Sequence, residues 1–134
     1  MRLGRALCAG LWGVAAVLTL SLSAQNGGAA RGKELFERRC SGCHALDINK
    51  EGPRLRNVFG NQSAGVPEFG YSESLRSLRL RWDKDNLDRW LTDPEAMAPG
   101  TDMAFRMANM EERRVVIAFL ESLRTAQRPG QWRD

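Results

Sequence analysis

Cys40-Ser41-Gly42-Cys43-His44 sets two thiols three residues apart and an imidazole directly after the second. Each thiol of such a pair can add to one vinyl group of a porphyrin, and the adjacent imidazole is then held under the ring as a ligand to its iron. On this reading Cys40 and Cys43 are the covalent attachment points of one c-type haem, and His44 is a metal ligand. A thioredoxin-like redox pair is the main alternative, but it expects strands alternating with helices, which the sequence does not offer. Structural zinc needs four good ligands, and with Cys8 set aside only Cys40, Cys43 and the sole histidine remain. A disulfide between Cys40 and Cys43 would close a small, strained loop and leave His44 without a role.

The chain ahead of this motif reads as an export leader. Arg2 and Arg5 form a basic start, Leu7 to Leu20 is an uncharged apolar run, and Leu22-Ser23-Ala24 offers small residues for cleavage. Residues 1–24 are therefore expected to be a secretory signal, with the bacterial periplasm as destination, and Cys8 leaves with it. Export suits a compartment that tolerates thiol chemistry. The competing reading is an uncleaved membrane anchor, because Leu7 to Ala24 is 18 residues long and a bilayer core is ~30 Å thick.

Removing residues 1–24 takes away two arginines and no acid, which lowers the formal charge from +4 to +2. Two ionised haem propionates would offset that surplus, so a nucleic-acid role has no electrostatic support. About 110 residues remain, one domain in which a buried haem would add a large apolar body to a modest core. Residues 25–31, rich in Gly and Ala, read as a flexible leader. Residues 32–124 read as the domain itself, and 125–134 as a polar tail.

Within the domain, Gly32 to Cys40 carries Leu35 and Phe36 on a short amphipathic helix. Residues 45–70 hold Gly52, Pro53, Gly60, Gly65, Pro67 and Gly70 with little periodicity, and read as loop. Ser72 can cap a short helix bearing Leu75 and Leu78, and Asp83 can cap Lys84 to Thr92, which presents Leu87, Trp90 and Leu91. Pro94 to Pro99 is expected to break the chain. The last helix begins at Asn109, with Glu112 placed to reach back in a capping box. Its Val116, Phe119, Leu120 and Leu123 stripe has the Leu35 and Phe36 face as natural mate, so the terminal helices should cross. No strand is expected, and the fold class is all-α with long loops.

A second iron ligand must come from elsewhere, and with no further histidine the soft donor left is methionine sulfur. Met97, Met103, Met107 and Met110 are the candidates. Met103 is preferred because it lies in the loop Pro99-Gly100-Thr101-Asp102-Met103-Ala104-Phe105, whereas Met107 and Met110 fall near or inside the last helix and can be core residues.

From Gly32 to Leu123 the chain resembles the class I cytochrome c family of the mitochondrial and soluble bacterial type. The resemblance rests on Gly32-Lys33 with Phe36 ahead of the Cys40–His44 motif, then Gly52-Pro53, Phe69 with Tyr71, Trp82, Pro94, Pro99-Gly100-Thr101 with Met103, and Glu112-Arg113 before Ile117-Ala118-Phe119-Leu120. It implies a compact monohaem fold and axial ligation by His44 and Met103. It also implies a Pro53 carbonyl accepting the other ring N–H of His44, Trp82 and Tyr71 donating to a haem propionate, and Thr101 and Phe105 packing the methionine side. Gly32, Phe36 and Phe119 match the family's helix crossing.

Some positions depart from the family pattern. Asn61 and Leu75 stand where many members have an arginine and an asparagine, and Trp90 replaces a tyrosine near the methionine sulfur, so a group that donates and accepts becomes one that only donates. Glu95 and Asp102 replace lysines around the haem edge, while Arg39 and Arg106 keep positive charge there, so docking should be less purely cationic. The expected function is one-electron shuttling between redox proteins, a dehydrogenase or reductase as donor and an oxidase or other acceptor. The carrier is expected to be a monomer that docks transiently, also on membrane complexes, and takes no small-molecule substrate. The runner-up is a haem subunit or anchored module dedicated to one dehydrogenase or oxidase. A peroxidase or gas sensor would need an open iron position, and a thiol-disulfide oxidoreductase would need free Cys40 and Cys43.

Overall fold

The computed structural model describes residues 27–124. The expected signal (1–24) and tail (125–134) lie outside the described residues. Five helices follow in order: α1 over residues 27–39, α2 Glu73–Leu78, α3 Lys84–Thr92, α4 Pro94–Met97 and α5 Met110–Ser122. Among the described residues there is no strand, only an isolated antiparallel bridge between Gln62 and Arg81, which bears out the all-α reading.

The crossing of α1 on α5 depends on a missing side chain. A Cβ built on Gly32 would stand 1.9 Å from the Val115 carbonyl oxygen and 2.8 Å from Phe119 Cβ. Glycine alone lets the two backbones come this close. One turn later Phe36 packs on Phe119 with ring centroids 5.5 Å apart. Leu35, Val115, Val116, Ile117 and Leu120 complete the buried layer around this pair.

That contact also explains a difference from the sequence reading. Residues 27–31, read as part of a flexible leader, are helical. Gly and Ala carry no apolar stripe, so the segment gives no periodic signal. Continuing a nucleated helix, however, needs only one hydrogen bond per added residue.

The caps form where the side chains suggested. Ser72 accepts from Leu75 N–H, Asp83 from Asn86 N–H, and Asn109 from the N–H groups of Glu111 and Glu112. The second half of the expected capping box is absent among the described residues, since the Glu112 carboxylate lies 3.7 Å from Arg39 instead. Pro94 does not simply break the chain. It starts α4 at the position where its missing N–H costs nothing, capped by Asp93 accepting from Ala96 N–H.

The 45–70 loop is held at both ends. Gly52 N–H donates to Cys43 O at 2.8 Å and Leu55 N–H to Ala45 O at 2.9 Å, which folds the loop back on the Cys40–His44 turn. Further on, Gly60 N–H donates to Trp82 O, and Trp82 N–H to Asn61 O, at 2.7 and 2.8 Å. These ties bring the loop and Trp82 to the same wall of the interior.

Candidate functional site

Helix α1 continues into the five-residue motif without a change of hand. Cys40 N–H donates to Phe36 O, and His44 N–H to Cys40 O, both at 2.9 Å, so Cys40 through His44 form one helical turn. Cys40 is half-buried and Cys43 exposed, with no disulfide between them. Burial pushes the Cys40 thiol up to about 11, with Arg39 opposing the rise. No three His, Cys, Asp or Glu side chains group to hold a metal ion among the described residues, as a zinc site would require.

The imidazole of His44 is fixed from behind. Its Nδ1 lies 2.8 Å from the Pro53 carbonyl oxygen, so in the neutral ring Nδ1 carries the proton and donates, leaving Nε2 as the lone-pair donor. Burial lowers the pKa of His44, opposed by the Pro53 bond and assisted by the nearby Lys50 charge, and the neutral form is favoured. Gly52 makes the arrangement possible: a Cβ there would sit 2.3 Å from His44 Cε1. Lys50 braces the turn from outside, its ammonium donating to the carbonyls of Ser41 and Gly42.

These residues line one cavity of about 530 Å³, within the range of cofactor sites. Cys40, Cys43, His44 and Pro53 form one part of its wall, and Thr101, Met103, Phe105 and Trp90 another. Tyr71 and Trp82 join them, so all ten residues singled out in the sequence meet at this cavity. Of the four candidate methionines only Met103 lines it. Met107 is fully buried in the core, Met110 is 72 % exposed on α5, and Met97 is half-buried on α4.

The polar groups of the lining fit a haem, whose carboxylates need donors. Tyr71 Oη accepts from Val66 N–H at 3.2 Å, which leaves its own proton to donate. The Trp82 side chain is buried, and its indole N–H has no acceptor among the described residues. Buried donors of this kind call for an acceptor. Arg54 adds a cation to the same lining. Asn61, standing where the family pattern has an arginine, turns away and donates from Nδ2 to Asn57 O at 2.5 Å.

Three contributors were not assigned roles from the sequence. Arg54 follows Gly52-Pro53 and could have been noted as a charge beside the proline whose carbonyl meets His44. Lys50 gave no local signal. Arg113, only 8 % exposed, donates to Asp88 Oδ1 at 2.7 Å and to the carbonyls of Met107 and Ala108 at 3.0 and 2.9 Å. It thereby ties α3 and α5 to the segment that follows Met103.

Comparison with known proteins agrees with this geometry. The family model for cytochrome c matches residues 29–124. A cytochrome c of Euglena viridis is 36 % identical over 101 residues, covering 73 % of this chain and 99 % of the relative. A cytochrome c2 of Rhodomicrobium vannielii is 37 % identical over 112 residues, covering 80 % and 89 %. Among solved structures, cytochrome cH from Methylobacterium extorquens superposes with a TM-score of 0.67 at 33 % identity, over 70 % of this chain and 97 % of that one. With a cavity lined by Cys40, Cys43 and His44 and matches of this extent, the chain belongs to the class I cytochrome c family, as an electron carrier with one covalently bound haem c rather than an enzyme.

Proposed function

We propose that Cys40 and Cys43 anchor the haem, that His44 Nε2 and Met103 Sδ are its two protein ligands, and that Tyr71 and Trp82 donate to its carboxylates. The protein then passes single electrons between redox proteins that meet it at the cavity mouth. The observation that carries this reading is the commitment of His44 Nδ1 to Pro53 O while Met103 alone among the candidate methionines lines the same cavity. The haem supplies the one-electron couple. The chain keeps His44 neutral and oriented, offers a soft sulfur that favours the reduced metal, and excludes water with Leu75, Leu87, Leu91 and Phe105.

Residues 1–24 direct the chain to the periplasm in this reading, the leader's basic start and apolar run being its support. No helix among the described residues is long and apolar enough to cross a membrane. Denaturing mass spectrometry of protein expressed with haem-maturation machinery is expected to find haem on the polypeptide and residues 1–24 removed. Met103→Ala should keep that haem mass, lose the sulfur-to-iron charge-transfer band of the oxidised form and fall in midpoint potential. A band that survives the substitution would move the ligand role to another methionine.

Three of the charges expected around the haem edge, Arg39, Glu95 and Arg106, are engaged within the chain. Arg106 pairs with Asp93 at 2.8 Å, while Arg39 reaches Glu112 and lies over the Phe105 ring, 5.6 Å from its centroid. Glu95 accepts from Gly100 N–H at 3.0 Å. Such a rim steers a partner weakly. Electron transfer to a redox partner should therefore slow by no more than about threefold as ionic strength rises from about 0.01 to 0.15 M, over which the Debye length shrinks from about 30 to about 8 Å. A steep fall would instead reveal a partner reading one sign of charge.

A further inference from the structure

A haem carries its two vinyl groups on one edge and its two carboxylates on the opposite edge, so attachment through Cys40 and Cys43 sends the carboxylates to the far side of the cavity. Two arginines line that cavity, Arg39 and Arg54. Arg39 adjoins Cys40, reaches Glu112 at 3.7 Å and lies over the Phe105 ring. We propose that Arg54 supplies the cation for a haem carboxylate, a charge that the Asn61 position, an arginine in many members of the family, does not provide here. The proposal rests on the reading that the haem lies in this cavity with its carboxylates against Tyr71 and Trp82.

The backbone of Arg54 is fixed beside the support of His44. Pro53 O meets His44 Nδ1, Arg54 N–H donates to Asn49 Oδ1 at 3.0 Å, and the N–H groups of Leu55 and Arg56 donate to Ala45 O and Leu46 O, both at 2.9 Å. Its side chain shares the lining with Tyr71, and its charge reaches the Tyr71 hydroxyl. Burial raises the pKa of that phenol, while the Val66 N–H bond and Arg54 oppose the rise. Asn61 does not compete for the carboxylate, since its amide donates to Asn57 O at 2.5 Å. Glu51 and Asp102, the acids of the lining, are exposed, and Asp47, which also feels the Arg54 charge, has both oxygens engaged by Arg56.

A carboxylate taken out of water among neutral donors keeps much of its desolvation cost. Tyr71 and Trp82 offer one proton each and no charge. A guanidinium adds a charge-assisted fork and holds the carboxylate ionised. It also sets a positive charge beside the ring, which favours the reduced iron.

The test uses the haem-loaded full chain with carbon-13 at the haem carboxyl carbons. In Arg54→Gln the equilibrium with a fixed redox mediator should shift at least about threefold toward the oxidised form, the scale of one charge removed at about 10 Å. The labelled carboxyl band of the oxidised-minus-reduced infrared spectrum should move with it. Arg54→Lys, which keeps the charge without the fork, should recover the equilibrium and only part of the band position. Arg56→Gln removes an equal charge two residues on and should leave the band in place. In the unsubstituted reduced protein, the Arg54 Nε–H should exchange slowly and show a nuclear Overhauser contact to the protons of a haem carboxylate arm, a readout that needs no variant to fold. An unmoved band or equilibrium in Arg54→Gln, an equal band movement in Arg56→Gln, or absence of that contact would overturn the proposal. Failure of the underlying reading would look different, because the carboxylate arms would then show no contact to the Tyr71 ring either.

Discussion

Gly32→Ala is expected to lower the unfolding free energy of the haem-loaded protein by about 3 kcal/mol, near the upper end of what overpacking costs. Intrinsic preference points the other way, since alanine in a helix interior is favoured over glycine by roughly 0.5–1 kcal/mol. The clash decides the sign. The added methyl would meet the Val115 carbonyl oxygen at 1.9 Å and its carbon at 2.7 Å. These are backbone atoms of a helix and cannot step aside by a rotamer change. Only separation of α1 from α5 relieves the contact, and that opens the Phe36–Phe119 pair and the layer around it. In thermal unfolding, at about 4–8 °C per kcal/mol for a domain of this size, the midpoint should drop by at least about 10 °C. Gly28, on the same helix with nothing within 4 Å of a built Cβ, is the control, and Gly28→Ala should be neutral or slightly stabilising. Equal midpoints for the two variants would mean that the close approach at Gly32 has no energetic weight.

What the sequence made legible was chiefly what is local. The caps at Ser72, Asp83 and Asn109 act over two or three residues, so residue type and the following periodicity suffice to find them. The Cys40–His44 turn is also local, and the five residues carry its chemistry unaided. The apolar stripe of α5 was readable because burial on a helix repeats every three to four residues. What escaped depends on partners far along the chain. Residues 27–31 have no stripe of their own. Glu112 was expected to close its own capping box, but Arg39, next to Cys40, offered it a stronger partner. Pro94 is equally a helix breaker and a first-turn residue, and only the Asp93 cap tells which. In the same way, Arg54 and Arg113 look like ordinary surface cations until the chain is folded.

Arg113→Leu is expected to cost about 3 kcal/mol and to loosen Met103 before the rest of the protein unfolds. The guanidinium makes bonds to Asp88 and to the carbonyls of Met107 and Ala108, and these do not weigh equally. The Asp88 side chain is 41 % exposed, so once alone it is rehydrated and loses little. Met107 is fully buried, and its carbonyl would be left without this donor at a cost of about 1–3 kcal/mol. The pair of carbonyls therefore dominates, and Asp88→Asn should cost no more than about 1 kcal/mol. The functional consequence follows from where those carbonyls sit. Met107 and Ala108 form the downstream anchor of the loop bearing Met103, and without Arg113 that anchor would rest on the Met107 N–H bond to Leu91 O and the exposed Arg106–Asp93 pair. In Arg113→Leu, a denaturant titration followed by the sulfur-to-iron band should therefore show its midpoint below that of far-ultraviolet circular dichroism, whereas the two coincide in the unsubstituted protein. Coincident transitions in the variant would make Arg113 a stabiliser of the fold as a whole, with no particular hold on the methionine.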